Sequence, residues 1–220
     1  MIDGIRFKIC GLTSLVDAEF ADRIGADALG FILYPKSPRY LPLLNYTAMA
    51  KLLPTGRKRI AVMVEPSATD LAAAIAAGFD RFQIHFDPAA VSQEVVAGWS
   101  RQVGPKSLWL APKLLPGAEI AADIVPLADT FLLDTFHAEG FGGSGRTGDW
   151  AAFARQQAAH PQKTWILAGG LNPGNIGVAL ANSGAKFVDV NSGVELSAGV
   201  KDHTKLKELA VAIHRSRTGA

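Results

Sequence analysis

Short runs of β-branched and apolar residues alternate with Ala-rich stretches of helical period along the whole chain. This alternation predicts a βα unit repeated from end to end. Strands are expected near residues 5–10, 28–33, 59–64, 81–85, 107–111, 130–134, 164–168 and 186–190. Helical patterns occupy 14–25, 43–53, 69–78, 89–102, 118–128, 149–159, 173–183 and 202–216. The third helix has Thr69 as its expected N-cap, Leu71, Ala74 and Ile75 on one face, and Gly78 where a C-terminal glycine belongs. The seventh has Asn172 as cap and Pro173 in its first position, where an N–H would be unsatisfied anyway. Eight such units in 220 residues predict an α/β fold, a closed (β/α)8 TIM barrel forming a single domain over 1–220. A doubly wound open sheet, with its usual five or six strands, fits less well.

In a barrel one face of each strand meets the helices and the other faces inward, so polar residues at period two mark the interior. Strand 1 places Ile5, Phe7 and Ile9 on the outer face and Arg6, Lys8 and Cys10 on the inner one. Strand 4 places Phe82 and Ile84 outward, with Arg81, Gln83 and His85 inward. Leu132 and Asp134 share the inner face of strand 6, and Asp189 lies between Phe187 and Asn191 on strand 8. The C-terminal mouth should therefore gather Cys10, His85, Asp134 and Asp189. Barrel enzymes do their chemistry at that end, on the βα loops.

Gly140, Gly142 and Gly145 satisfy a GxGxxG spacing, but the run begins several residues after strand 6 and has no acidic residue near 165 to hold a ribose. A glycine-rich loop able to close over a substrate fits better than a dinucleotide site. Two other loops are more informative: Ala168-Gly169-Gly170-Leu171-Asn172-Pro173 after strand 7 and Asn191-Ser192-Gly193-Val194 after strand 8. These are the loops that form the phosphate site of many barrels, because glycine lets backbone N–H groups approach phosphate oxygens.

Composition narrows the classes of ligand. The chain is 49% hydrophobic, enough to bury a sizeable core. Its 22 Lys and Arg against 20 Asp and Glu leave a charge of +2, too balanced for a nucleic-acid surface. A single cysteine, Cys10, rules out an internal disulfide framework or a thiolate-rich zinc site and fits a reducing compartment. None of the five histidines falls at HExxH spacing. Asp3, Arg6 and Lys8 stand where a signal peptide needs its apolar core, and no run approaches the roughly 18 apolar residues of a spanning helix. The expectation is a cytoplasmic protein without membrane contact.

Cys10 and Asp134 are the residues best suited to proton transfer. A thiol ordinarily loses its proton near pH ~8.5, so it needs help to act as a base near neutrality, and Lys8 on the same strand face could supply it. Asp134 could stay protonated if desolvated, and so serve as an acid.

Lys8-Ile9-Cys10-Gly11-Leu12-Thr13, Gly30-Phe31-Ile32, Ser37-Pro38-Arg39-Tyr40, Gln83-Ile84-His85, Leu133-Asp134, Gly142-Gly143-Ser144-Gly145, Asp149-Trp150, Leu167-Ala168-Gly169-Gly170-Leu171 and Asp189-Val190-Asn191-Ser192-Gly193-Val194-Glu195 follow one another in that order. In order and spacing, over nearly the whole chain, they resemble the phosphoribosylanthranilate isomerases of tryptophan biosynthesis. The resemblance implies an Amadori rearrangement of N-(5-phosphoribosyl)anthranilate to the carboxyphenylamino-deoxyribulose phosphate, without cofactor or metal. Asp134 would be the general acid that opens the furanose and Cys10 the base that takes the C2′ proton. Arg39 would meet the anthranilate carboxylate. Lys8, Gln83, His85, Gly142, Gly143 and Asp189 would surround the substrate, and Gly169, Gly170, Ser192, Gly193 and Val194 would hold its phosphate. The only partner implied is this small phosphorylated molecule, and the oligomeric state stays open.

Three positions depart from the family pattern: Phe86 where glycine is usual, Glu65 where the third strand often ends in Asn, and Gly148 in place of an aromatic before Asp149-Trp150. A ring at Phe86 is expected at the rim of strand 4. Two alternatives stand beside the isomerase: another phosphosugar barrel enzyme, which would need Lys and Glu or metal ligands at its strand ends, and a non-catalytic sugar-phosphate-binding paralogue.

Overall fold

In the computed structural model, residues 1–115, 117–134 and 149–218 are described. Eight parallel strands close into a barrel in sequence order: β1 (Arg6–Ile9), β2 (Ala28–Ile32), β3 (Lys58–Val64), β4 (Arg81–Phe86), β5 (Leu108–Pro112), β6 (Thr130–Leu133), β7 (Thr164–Leu167) and β8 (Phe187–Val190). Each lies where the alternation of apolar and polar residues predicts. The first and last strands join in the register Lys8↔Asp189, which brings two charged inner-face residues together at the seam.

Seven α-helices lie among the described residues: α1 (Leu15–Arg23), α2 (Leu43–Ala50), α3 (Ala68–Ala76), α4 (Gln93–Val103), α5 (Trp150–Ala159), α6 (Ile176–Ser183) and α7 (His203–Thr218). The helix expected over 118–128 is not formed. Its only regular piece is a 3-10 turn at Val125–Leu127. Pro126 lacks the N–H that an α-helix needs and clashes with the preceding turn, so Ala-rich composition cannot carry a helix through it. Ile120 and Ile124 still bury their side chains. Two caps also differ from expectation. Ser67, not Thr69, caps α3, forming a capping box with Asp70. Before α6, Asn172 Oδ1 accepts from the N–H of Gly174 and Asn175 Oδ1 accepts from the N–H of Asn172, so the chain turns once more before the helix begins.

After β8 the chain makes a further 3-10 turn (Ser192–Val194) and a short antiparallel hairpin, β9 (Glu195–Ser197) and β10 (Val200–Lys201), that the sequence pattern does not announce. Gly199 in its turn has φ +82°, a left-handed conformation suited to glycine.

The outer faces of the strands pack under the helices, with Phe7, Ile9, Leu29, Phe31, Ile84 and Phe131 fully enclosed. Phe86 belongs to this outer layer. Because Gln83 and His85 point inward, the next residue points out, and its ring meets Trp99 edge-on at 5.8 Å. It therefore does not stand at the rim of strand 4. Inside, Trp109 and Phe187 meet edge-on at 5.6 Å, and Arg6 stacks its guanidinium 4.6 Å above Phe187. Among the described residues, no helix is long and apolar enough to cross a membrane.

Tyr46 on α2 is fully buried and stacks on Phe79 at 3.9 Å, yet its hydroxyl has no hydrogen-bond partner among the described residues. Burial pushes that phenol up to about 12. Tyr46→Phe should therefore leave stability unchanged or raise it by about 1 kcal/mol, since an unpaired buried hydroxyl is a net cost. Urea unfolding checks this; a loss of more than about 1 kcal/mol would show that the hydroxyl is bonded.

Candidate active site

The C-terminal ends of the strands open into a pocket lined by Cys10, Arg39, Gln83, His85, Asp134, Gly169, Gly170, Asp189 and Ser192, all singled out from the sequence. Tyr34 and Lys36, from the loop after β2, line it as well and carried no signal beyond being loop residues. Gly142 and Gly143, with the rest of the glycine-rich loop, lie outside the described residues, as does Gly148.

Lys8 sits beneath this pocket rather than in its wall. It is fully buried, and its Nζ donates to both oxygens of Asp189 at 2.9 Å. Gly30 makes the room: a Cβ there would stand 2.7 Å from Lys8 Cε and 3.1 Å from Cys10 Cα. Burial by itself disfavours the ammonium, but the charges of Asp189 and Cys10 outweigh it and hold the Lys8 pKa above its ordinary value. Cys10, one turn of the pleat above, is buried too. Burial pushes its thiol up, Lys8 pulls it down, and Asp189 adds to the upward push, leaving the thiol above the ordinary range. Lys8 thus favours the thiolate, as expected, without overcoming desolvation.

His85 is held neutral. Burial, helped by the charge of Lys8, lowers its pKa to about 4. Gln83 Nε2 lies 2.8 Å from His85 Nε2. An amide nitrogen can only donate, so in this orientation His85 Nε2 accepts. Gln83 Oε1 is buried and has no hydrogen-bond partner among the described residues.

Arg39 comes from the loop between β2 and α2 and is already engaged. Glu195 accepts from its Nε at 2.9 and 3.1 Å and from its Nη2 at 2.7 Å. This paired geometry, with the carboxylate foremost, raises the Arg39 pKa. Glu195 also accepts from Lys201 Nζ at 2.8 Å and, less closely, from the Gly199 N–H at 3.2 Å. Burial disfavours the carboxylate, but the two cations overcome it and lower the Glu195 pKa. Glu195 stands in the family-like motif without a role, and Lys201 drew no attention in the sequence. A charged residue buried in a short hairpin cannot be distinguished by pattern from a solvated one.

The opposite corner is built from backbone. Gly169 and Gly170 take φ +95° and +63°, and the Gly170 carbonyl accepts from Asn172 Nδ2 at 3.2 Å and Asn175 Nδ2 at 2.9 Å. The N–H groups of Gly169, Gly170, Ser192 and Gly193 donate to no acceptor among the described residues. Gly193 lies behind the pocket lining: a Cβ on it would stand 2.0 Å from the Leu171 carbonyl oxygen, so the loops after β7 and β8 are in direct contact through it. Val194 turns away from the pocket, its side chain fully buried in the outer core and its N–H donating to Asn191 O at 3.3 Å. Among the described residues, no group of three or more His, Cys, Asp or Glu side chains could hold a metal ion.

The site thus combines a thiol over a buried ammonium, a carboxyl group at the end of β6, a carboxylate-braced arginine and a glycine-built corner suited to an oxyanion. Comparison with known proteins identifies the family. The family model described as N-(5′-phosphoribosyl)anthranilate (PRA) isomerase matches residues 7–212. The N-(5′-phosphoribosyl)anthranilate isomerase of a Synechococcus species is 35% identical over 219 residues, covering 97% of this chain and 98% of its own. That of Pseudomonas fluorescens is 35% identical over 213 residues, covering 96% and 100%. The crystal structure of TrpF from Jonesia denitrificans superposes with a TM-score of 0.77 at 30% identity, covering 97% of this chain and 98% of that one. A phosphoribosyl anthranilate isomerase solved with reduced 1-(o-carboxyphenylamino)-1-deoxyribulose 5-phosphate gives 0.72 at 28% identity, covering 98% and 100%. The chain belongs to the N-(5′-phosphoribosyl)anthranilate isomerase family.

Proposed function

We infer that this protein carries out the Amadori rearrangement of N-(5′-phosphoribosyl)anthranilate in tryptophan biosynthesis, with Asp134 as general acid and Cys10 as general base. The observation that carries these roles is the meeting of both groups in one pocket whose far corner is lined by the phosphate-type glycine loops. Asp134 protonates the furanose oxygen, the C1′–O bond opens, and the anthranilate nitrogen takes up the positive charge as a Schiff base. The Cys10 thiolate then removes the C2′ proton, and the electron pair flows to the nitrogen to give an enolamine, which tautomerises to the ketone. Lys8, held protonated below, favours the thiolate. The N–H groups of Gly169, Gly170, Ser192 and Gly193 meet the phosphate. Neutral His85 holds the Gln83 amide in place in the pocket floor. A free thiol used as a base needs a reducing setting, which favours the cytoplasm. The barrel over 1–220 is the catalytic unit.

Turnover of phosphoribosylanthranilate generated in situ, with and without a chelator, tests this reading. Turnover indifferent to the chelator is expected; product binding without turnover would mark a non-catalytic paralogue. Arg39 carries the anthranilate carboxylate in this scheme, so Arg39→Ala should lower kcat/KM by about ten- to hundredfold, the loss of one charge-assisted contact. Steady-state kinetics decide it: a value within about twofold of the parent would make Arg39 only a partner of Glu195.

A further inference from the structure

Lys201 has no part in the chemistry just described, yet it is among the most thoroughly enclosed charged groups in the protein, its side chain wholly inaccessible. Its Nζ has three acceptors around it: Glu195 Oε1 at 2.8 Å, Asn191 Oδ1 at 2.9 Å and Asn191 O at 3.3 Å. An ammonium has three protons, so this geometry can use each of them. Two of those acceptors belong to Asn191, which begins the β8 phosphate-type loop, and the third belongs to the carboxylate that grips Arg39. The Lys201 backbone is fixed in turn, its N–H donating to Asp17 Oδ2 at 3.2 Å. Thr13 Oγ1 donates to the Gly199 carbonyl at 2.6 Å, tying the hairpin to the loop after β1. Gly11, at φ +69°, leaves the space in which Asn191 and Arg39 approach each other; a Cβ there would meet Asn191 Oδ1 at 2.5 Å and Arg39 Cδ at 2.9 Å.

A surface ion pair would not justify so much fixed geometry, because an exposed Arg39–Glu195 pair could reorient at little cost. With Glu195 enclosed and held from behind, the guanidinium is gripped through both Nε and Nη2. We propose that Lys201 is a positioning residue for the isomerase: by holding Glu195 against Arg39 and Asn191 at the head of the β8 loop, it sets where the carboxylate end of the substrate binds relative to its phosphate end. The inference rests on the reading of Arg39 as the carboxylate-binding residue.

The test compares two stable product analogues, the reduced carboxyphenylamino-deoxyribitol phosphate and its anilino counterpart without the carboxylate, by calorimetry on the full chain. In the parent the carboxylate should strengthen binding. Lys201→Met keeps the length of the side chain and removes the donors, and should erase most of that preference, a change of roughly tenfold to hundredfold for a misaimed group. KM should rise more than kcat falls. In an Arg39→Ala background, Lys201→Met should change the preference little, because the residue through which it acts is gone. Glu195→Gln, which keeps the shape and removes the carboxylate that links Lys201 to Arg39, should reproduce the loss and serves if Lys201→Met does not fold. A preference intact in Lys201→Met or in Glu195→Gln, while Arg39→Ala abolishes it, overturns the positioning role alone. A preference intact in Arg39→Ala overturns the reading of Arg39 and the inference with it.

Discussion

Cys10→Ala is expected to lower kcat by about 10²-fold to 10⁴-fold, the usual worth of a positioned general base, while product affinity is kept. Among the described residues of the pocket, none is placed to stand in for it. His85 is neutral with a pKa of about 4, and Asp189 is committed to Lys8 through both oxygens. Cys10→Ser should be nearly as poor, because a hydroxyl is a far weaker base than a thiolate. Removing a small buried side chain disturbs packing only modestly, so circular dichroism and product titration must accompany the kinetics. The thiol also predicts the pH response. Its pKa in the free enzyme is raised, and Cys10 acts deprotonated while Asp134 acts protonated, so kcat/KM should follow a bell-shaped pH profile, and the limb set by the raised thiol should be absent from Cys10→Ala. Retention of more than about a tenth of kcat by a folded Cys10→Ala would reduce Cys10 to a packing residue.

Asp134→Asn should cost a similar factor, about 10²-fold to 10⁴-fold, but at a different step. The amide keeps the shape and loses the proton that the ring oxygen needs. Deuterium at C2′ separates the two residues. In Cys10→Ala the abstraction of that atom limits turnover, and the isotope effect should be fully expressed. In Asp134→Asn ring opening limits turnover, and the effect should vanish. An isotope effect of the same size in both variants would mean that the two residues do not divide the proton transfers as proposed.

The inward and outward alternation of β1, β4, β6 and β8 was readable from the chain because period two is a property of the backbone, independent of what surrounds it. It places Cys10, Gln83, His85, Asp134 and Asp189 on one wall before any contact is known. Composition was a poorer guide where a single residue has a veto. Pro126 cancels the helix that the alanines of 118–128 suggest, and side chains at Asn172 and Asn175 delay α6. Phe86 shows the same logic from the other side: its identity departs from the family, but its parity on β4 sends the ring to Trp99 and away from the pocket. What the chain could not disclose were partnerships across long separations. That Glu195 would bind Arg39 from 156 positions away, and share itself with Lys201, depends on a hairpin of five strand residues whose pattern is too short to register. Likewise Lys8, read as a substrate contact, has its charge answered by Asp189 across the barrel seam.

That seam has a bearing on how the chain comes into being. Asp189 leaves the ribosome 181 residues after Lys8. At the usual elongation rates of about 5 to 20 residues per second, the delay is roughly 10 to 35 s. During that interval no partial barrel can enclose Lys8 without stranding an unpaired ammonium, a penalty of several kcal/mol. Enclosing the β1 edge is therefore unfavourable until β8 arrives. Closure of the barrel, neutralisation of the buried charge and creation of the setting in which Cys10 can work are consequently one event in the life of the nascent chain.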